Sequence, residues 1–197
     1  MPSETELKYA PLDGFSAEEL FALAEIAPFC GEVSEIIMRT EYLDTPYSDA
    51  KMRGITLRRR FENGRSVLYA KAPVCTSGEL SVRGEWSVQS DDLANAAALL
   101  AKAGAPTDAL CGKELEVCGR VSFKRRETLL TLPEFSAMLS FDEGIFGEDV
   151  PFSEIELELV SGDTDELLRF GRSLAGKYGL APETASKCAR AIRYTTK

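Results

Sequence analysis

Alternating polar and apolar residues, the period of a β-strand, recur along most of this chain. The clearest case is 80–89, where Val82, Trp86 and Val88 share one face and polar or charged residues share the other. The pattern predicts strands over 4–8, 35–44, 54–61, 66–72, 80–89, 120–131, 137–141 and 153–159. Helical periodicity and capping residues predict helices over 16–27, from 91 or 92 to 104, from 164 to 178, and a short last one beginning at Pro182. Loops are expected over 45–49 and 75–79, a hairpin turn at 62–65 and another turn over 144–147.

Two strands near opposite ends of the chain carry rows of carboxylates. Residues two apart in a strand point to the same face. One row therefore contains Glu4, Glu6 and Lys8, and the other contains Glu154, Glu156 and Glu158. Like charges at this spacing repel, so the rows need cations or water. If both rows face one enclosed space, that space is expected to bind metal ions.

The strand count predicts an α+β fold that is mainly β. About eight strands joined mainly by hairpins are typical of an antiparallel, closed or nearly closed β-barrel with surrounding helices. In most strands one face is charged and the other is apolar, and the helices need an apolar surface to cover. We therefore expect the apolar faces outside, beneath the helices, and the charged faces lining a water-filled bore. The alternative is that each strand exposes an ordinary wet face with ions paired between neighbours.

Composition narrows the chemistry that such a bore could perform. The 197 residues suit a single domain, and 32 acidic against 23 basic residues, a net charge of −9, argue against a nucleic-acid-binding surface. We expect no membrane-spanning helix, since no apolar run approaches about 20 residues. Five cysteines without C-x-x-C spacing, and no signal-peptide start, favour the cytoplasm. Histidine is absent, which excludes Ser-His-Asp and Cys-His catalysis and histidine-ligated zinc.

The charged faces divide into two sets. The basic set is Lys8, Arg58, Arg60, Lys71, Arg83, Lys124 and Arg126, with Lys187 and Arg190 near the C-terminal end. The acidic set is Glu4, Glu6, Glu85, Glu154, Glu156 and Glu158, with Asp142 as a further candidate. Arginine and lysine hold phosphate oxygens, and carboxylates hold Mg²⁺ or Mn²⁺. Both sets in one bore therefore suit a polyanion escorted by a divalent metal.

In the order and spacing of these charged residues, the chain resembles the CYTH superfamily, the triphosphate tunnel metalloenzymes. The resemblance covers nearly the whole chain, in the family's own order. Glu4-x-Glu6-x-Lys8 resembles its E-x-E-x-K signature, 42–46 its Y-F-D-T-P segment, 54–60 its G-x-x-L-R-x-R, Lys71 its next strand's lysine and Arg83-Gly84-Glu85 its R-x-E. Lys124-x-Arg126 resembles K-x-R, 142–144 the D-x-G turn, Glu154-x-Glu156-x-Glu158 the E-x-E-x-E strand, and 186–191 the closing S-K-x-x-R-A. Ser87 departs from the pattern, since many members carry a second glutamate there.

The resemblance implies an eight-stranded antiparallel tunnel and a metal-dependent triphosphatase, with inorganic triphosphate as the expected substrate. We expect Mg²⁺ or Mn²⁺ on Glu4, Glu6, Asp142, Glu154, Glu156 and Glu158, and the triphosphate on the basic set. The candidate catalytic residues are Glu4, Glu6, Lys8 and Glu85. A class IV adenylyl cyclase and a thiamine triphosphatase are the alternatives within the family, and a non-catalytic polyphosphate- or nucleotide-binding module is the alternative outside enzymes. The expected state is a monomer or homodimer.

Overall fold

The fold is seen in a computed structural model of the chain. It describes the backbone of residues 3–62, 64–77 and 80–195, and the side chains of 5–62, 64–73 and 84–195. The strands are β1 (Ser3–Ala10), β2 (Ser34–Asp44), β3 (Thr56–Glu62), β4 (Arg65–Ser77), β5 (Leu80–Gln89), β6 (Glu116–Thr131), β7 (Phe135–Phe146), β8 (Val150–Gly162) and β9 (Ala181–Pro182). The α-helices are α1 (Ala17–Phe21), α2 (Asp49–Met52), α3 (Ala96–Lys102), α4 (Thr164–Tyr178) and α5 (Lys187–Thr195), with 3₁₀ turns at Ala27–Phe29 and Asp108–Leu110.

All described strands belong to one antiparallel sheet, in the order β5-β4-β3-β2-β6-β7-β8-β1-β9. β1 also pairs with β5, so the first and eighth strands of this order are neighbours. The predicted mainly β, antiparallel architecture is confirmed. The prediction of eight strands is wrong by one, because the chain after α4 adds the two-residue strand β9 beside the end of β1.

Two apolar clusters lie between the sheet and the helices, as expected for outward apolar faces. In the first, α1 and α4 cover Leu7, Leu139 and Leu157 from β1, β7 and β8. In the second, α3 covers β3 and β4 through Leu57 and Leu68. Burying a leucine side chain is worth about 1.5–3 kcal/mol, so these clusters supply a large share of the folding free energy.

A third apolar cluster lies on the opposite, inward face. α5 packs there through Ala191 against Met38 and Tyr42 of β2 and Phe123 of β6. Gly119 permits the close approach, since a Cβ at this position would lie 2.8 Å from the backbone nitrogen of Ile192. One part of the sheet interior is therefore filled by a helix and is apolar, contrary to the expectation that every inward face is charged.

Several boundaries differ from the prediction. Part of the loop expected over 45–49 starts helix α2, because the Asp44 carboxylate accepts hydrogen bonds from the backbone of Ala50 (2.8 Å) and Lys51 (3.1 Å). The turn expected over 144–147 begins only after Phe146. Gly144 lies inside β7, where a Cβ would lie 2.1 Å from the carbonyl oxygen of Ser122, so this close approach of the two strands requires glycine.

Three further boundaries are also corrected. The loop expected over 75–79 is strand up to Ser77, and 78–79 lie outside the described residues. The helix expected at Pro182 starts at Lys187. The helix expected over 16–27 keeps its capping box, Ser16 with Glu19, but ends at Phe21.

Replacing Gly171 with alanine should destabilise the protein, because α4 packs on β1 at this glycine. A Cβ there would lie 2.6 Å from Leu7 Cδ1 and 2.6 Å from the Tyr9 hydroxyl. Overpacking of this kind costs about 1–3 kcal/mol. Gly176 in the same helix is the matched control: a Cβ there meets nothing within 4 Å, so Gly176→Ala should stabilise by roughly 0.5–1 kcal/mol. Urea unfolding measures both changes, and equal signs for the two variants would contradict this packing.

Candidate functional site

One cavity of about 310 Å³ opens on the inward face of the sheet. Seven of the strands and the start of α5 contribute its lining. The lining residues are Glu6, Lys8, Ile36, Met38, Tyr42, Thr56, Arg58, Arg60, Glu62, Tyr69, Lys71, Glu85, Arg125, Glu127, Glu156, Glu158, Ser186, Lys187 and Cys188. Six of these are carboxylates and six are cations, so the cavity is strongly polar.

The basic wall of the cavity consists of Arg58, Arg60 and Lys71 on β3 and β4. Glu85 of β5 holds two of these cations: it accepts a hydrogen bond from Arg58 Nη2 at 3.0 Å and lies 3.7 Å from Lys71 Nζ. Arg58 and Lys71 are each only 11% exposed. Burial, with the charges of Arg58 and Arg125, lowers the pKa of Arg60 to about 10. Arg60 therefore lies close to other cations, and such a group of positive charges favours an anionic ligand.

The acidic wall consists of Glu6, Glu156 and Glu158 on β1 and β8. Glu6 stands directly opposite Glu158 in the strand pairing. Cβ atoms at such positions are about 4.5–5.5 Å apart, and like charges there destabilise the sheet unless a cation lies between or beside them. Lys8 Nζ supplies one such cation, 2.8 Å from Glu6 Oε1.

The two walls lie on strands that are not neighbours. β2, β6 and β7 separate them on one side of the strand order, and β5 separates β4 from β1 on the other. Because residues of both walls line one cavity, arginines and carboxylates face each other across it. Burial lowers the pKa of Lys8, but Glu6 and Glu156 outweigh it and raise the pKa above its usual value. Lys8 therefore remains a cation within the acidic wall.

A buried ion cluster lies where α5 meets the acidic wall. Carboxylate oxygens of Asp142, Glu154 and Glu156 lie within 4.8 Å of one another. Lys187 Nζ lies 2.8 Å from Asp142 and 2.7 Å from Glu156, and it also pairs with Glu154. Arg125 binds Asp142 through Nε and Nη2, both at 2.7 Å. Three protein carboxylates therefore already have protein cations around them.

Burial shapes the titration of this cluster. Burial, with the charge of Glu156, raises the pKa of Glu154 to about 7, although Lys187 and Arg190 lower it. Burial also raises the pKa of Glu156, but Lys187 and Arg125 outweigh it and hold the pKa well below its usual range. Burial lowers the pKa of Lys187, and the three carboxylates more than reverse this. The ammonium is therefore held in its charged form.

The structure corrects the predicted placement of Lys124 and Arg126. Lys124 lies on the outer face, 39% exposed and 3.5 Å from Glu35, and Arg126 pairs with the exposed Glu18 of α1. The inward residues of β6 are instead Arg125 and Glu127. The physical reason is α5: because it covers Val121 and Phe123 from inside, the residues that alternate with them face outward.

Of the other predicted site residues, most lie where expected. Glu6, Lys8, Arg58, Arg60, Lys71, Glu85, Glu156, Glu158 and Lys187 line the cavity. Asp142 and Glu154 are fully buried behind it in the ion cluster, and Arg190 pairs with Glu154. The side chains of Glu4 and Arg83 lie outside the described residues, and only their backbone pairing, directly opposite each other, is seen.

Among the cavity residues that the sequence did not predict, five have aromatic or charged side chains: Tyr42, Glu62, Tyr69, Arg125 and Glu127. The strand alternation could have predicted two of them. Glu62 follows Arg58 and Arg60 on one face of β3, and Tyr69 shares a face of β4 with Lys71. Arg125 and Glu127 had no such signal, because their face of β6 begins with apolar residues.

The donor set of the acidic wall fits a hard divalent cation. Carboxylate oxygens are the ligands that Mg²⁺ and Mn²⁺ prefer. Among the described side chains, Glu6, Glu156 and Glu158 reach the cavity from two adjacent strands. Asp142 and Glu154, buried behind the cavity around Lys187, fit a metal less well. Glu156 belongs to both groups, since it lines the cavity and also pairs with Lys187.

The interior of this antiparallel sheet therefore places a basic wall opposite an acidic wall. The chain belongs to the CYTH domain family, whose model matches residues 3–192. This family includes triphosphatases and adenylyl cyclases.

Solved structures share this fold. One is a Hippeastrum protein, proposed as an adenylyl cyclase and described as having a dominant triphosphatase activity, with a TM-score of 0.66, 22% identity, and 97% of this chain and 95% of that one covered. A Bacillus halodurans protein, proposed as an adenylate cyclase, has a TM-score of 0.59 and 16% identity, covering 96% and 98%. A Pyrococcus horikoshii protein has a TM-score of 0.58 and 19% identity, covering 97% and 99%. At these identities the likeness shows the fold alone.

Proposed function

We propose that this chain is a metal-dependent triphosphatase that hydrolyses inorganic triphosphate in the cavity. The observation that carries the proposal is the opposition of the two walls: Arg58, Arg60 and Lys71 across from the acidic wall of β1 and β8. A triphosphate carries several negative charges on a short chain and needs cations along its length. A divalent metal beside the carboxylates would complete that neutralisation.

The basic wall would grip the phosphates. Arginine forks bind two phosphate oxygens at once, and lysine adds a point charge. Arg125 extends this surface from β6, and Arg83, whose side chain lies outside the described residues, stays in the proposed set. Lys124 and Arg126 leave it, because they lie on the outer face.

The acidic wall would hold the metal. Glu6, Glu156 and Glu158, with Glu4 from the same strand as Glu6, are the proposed ligands. When bound, Mg²⁺ or Mn²⁺ would supply positive charge that polarises the phosphate for attack. Asp142 and Glu154 have a different proposed role: they anchor Lys187 and Arg190 of α5 beside the acidic wall.

The hydrolytic step itself is simple in bond terms. A water oxygen bonds to the terminal phosphorus while the bond from that phosphorus to the bridging oxygen breaks, which yields orthophosphate and diphosphate. A carboxylate of the acidic wall, or Glu85, orients the water and accepts its proton. Lys8 and the arginines neutralise the charge that develops on the phosphate oxygens.

Purified protein should release orthophosphate from inorganic triphosphate with Mg²⁺ or Mn²⁺ and stop when a chelator is added. The reason is that the carboxylates of the acidic wall would repel a phosphate chain unless a divalent cation lies between the two. The measurement is phosphate release from triphosphate, thiamine triphosphate and ATP, with cyclic AMP scored in parallel. Restoration of turnover by added metal is the control for protein integrity.

Three outcomes would redirect the proposal. Cyclic AMP as the main product from ATP would make the protein a cyclase, and a preference for thiamine triphosphate would change the substrate. Tight triphosphate binding without turnover under any metal would leave a binding module. Unchanged turnover in chelator would contradict the role given to the acidic wall.

Other features of the proposal still come from the sequence alone: a single domain, a cytoplasmic location, a monomer or homodimer, and neither nucleic acid nor membrane as partner. The structure adds one related finding: no helix of the described residues is long and apolar enough to cross a membrane.

A further inference from the structure

Tyr69 occupies a position in the cavity that none of the proposed roles uses. It lies on β4 directly opposite Arg58 of β3. The Arg58 guanidinium carbon lies 4.8 Å from the centre of the Tyr69 ring, and that of Arg60 lies 5.6 Å from it. One aromatic ring therefore contacts both arginines of the basic wall.

Arg58 is restrained in two independent directions. Glu85 accepts a hydrogen bond from its Nη2 at 3.0 Å, and the Tyr69 ring lies against its guanidinium. Arg60 is restrained in a similar way. Its Nε lies 3.4 Å from the Thr40 hydroxyl, and its guanidinium lies over the Tyr69 ring. Long side chains lose rotamer entropy when they bind a ligand, so arginines held in advance bind more tightly than free ones.

The two arginines also need a partner because they repel each other. They are two residues apart on one strand face, and both line the cavity. The lowered pKa of Arg60 reflects burial first and the charge of Arg58 next. The face of an aromatic ring is electron-rich, so a ring in contact with both cations offsets part of that repulsion.

We propose that Tyr69 is a positioning residue that holds Arg58 and Arg60 as a preformed pair for the phosphates of the substrate. The inference rests on the proposed function, because it gives the pair a polyphosphate ligand. In this proposal the aromatic ring of Tyr69, and not its hydroxyl, positions the two arginines. This role therefore separates Tyr69→Phe, which keeps the ring, from Tyr69→Leu, which removes it.

The outer face of the same hairpin offers a matched control. Arg59, between the two cavity arginines, has its guanidinium carbon 4.9 Å from the centre of the Phe61 ring, but this pair faces away from the cavity. Phe61 lies two residues after Arg59 in β3. Phe61→Leu removes an arginine–aromatic contact of the same kind, but on the outer face. Any general effect of losing such a contact on the hairpin should therefore appear in Phe61→Leu as well.

The experiment is isothermal titration of each folded variant with sodium triphosphate in chelator, followed by steady-state kinetics with metal. Tyr69→Leu should weaken triphosphate binding about tenfold. It should raise KM by a similar factor and change kcat by less than about twofold, because the contact is equally strong in the ground state and the transition state. Tyr69→Phe should restore the wild-type affinity, and Phe61→Leu should match the wild type. Tyr69→Met is the second ring-free variant if Tyr69→Leu fails to fold.

Two results would overturn the inference: wild-type affinity in the ring-free variants, or a loss in Tyr69→Phe equal to that in Tyr69→Leu. Arg58→Ala distinguishes these from a failure of the proposed function. If the wild type binds triphosphate and Arg58→Ala weakens it while Tyr69→Leu does not, only the role of Tyr69 fails. If the folded wild type binds no triphosphate, the proposed function fails first.

Discussion

Replacing Lys187 with methionine should lower the free energy of unfolding by about 3–5 kcal/mol, the cost of removing one partner from a buried ion pair. Lys187 is 10% exposed and contacts three carboxylates, of which Asp142 and Glu154 are fully buried. Methionine matches the length of the side chain but supplies no charge, so these carboxylates lose a cation that they share. For a chain of this size the expected drop in melting temperature is roughly 6–20 °C.

The matched control is Lys177→Met on α4. Lys177 pairs with Glu25 at the surface and is 57% exposed. Exposed ion pairs are screened by water and salt and contribute little, so this variant should unfold close to the wild type. Urea and thermal unfolding at pH 8 compare the three proteins. Equal stability of the two variants would mean that Lys187 is not the cation that holds the cluster.

The loss caused by Lys187→Met should also shrink as the pH falls. Burial already raises the pKa of Glu154 to about 7, and removing the ammonium would raise it further. At pH values below that raised pKa, Glu154 of the folded variant binds a proton. In the unfolded chain Glu154 has an ordinary carboxyl pKa and releases it. Where the folded state binds more protons, stability falls as pH rises. The gap to the wild type should therefore be wider at pH 8 than at pH 5.

Replacing Glu6 with glutamine should lower turnover of triphosphate at least about a hundredfold, which corresponds to about 2.7 kcal/mol in the barrier. The substitution keeps the shape of the side chain and removes one charge from the acidic wall, directly opposite Glu158. The proposed metal would lose a ligand, while the basic wall would remain. Triphosphate binding measured in chelator should therefore survive in the variant, and the loss should appear with metal present.

Glu18→Gln is the control for this prediction. Glu18 also pairs with a cation, Arg126, but on the outer face, where it is 71% exposed. Its turnover should match the wild type. Turnover of Glu6→Gln within about twofold of wild type, less than about 0.5 kcal/mol in the barrier, would refute the assignment of the first strand to the acidic wall.

Local sequence patterns predicted much of this fold. Alternation located eight of the nine strands. The helix expected from residue 16 begins there with a capping box of Ser16 and Glu19, and the helix expected to end at residue 178 does so, followed by the left-handed Gly179. These features depend on residues close in the chain, so the sequence is sufficient to predict them. The same holds for the row of Glu154, Glu156 and Glu158, since residues two apart in a strand share a face whatever surrounds them.

Only the tertiary structure decided which face of a strand points inward. In β6, alternation places Lys124 and Arg126 on one face and Phe123 on the other, and the structure has the same grouping. The interior nevertheless receives Phe123 and Arg125, because α5 enters from about 60 residues further along the chain and covers the apolar start of that face. The same helix places Lys187 among Asp142, Glu154 and Glu156. Alternation sorts side chains into two faces, but burial of each face depends on a distant segment, and that contact has no signature within the strand itself.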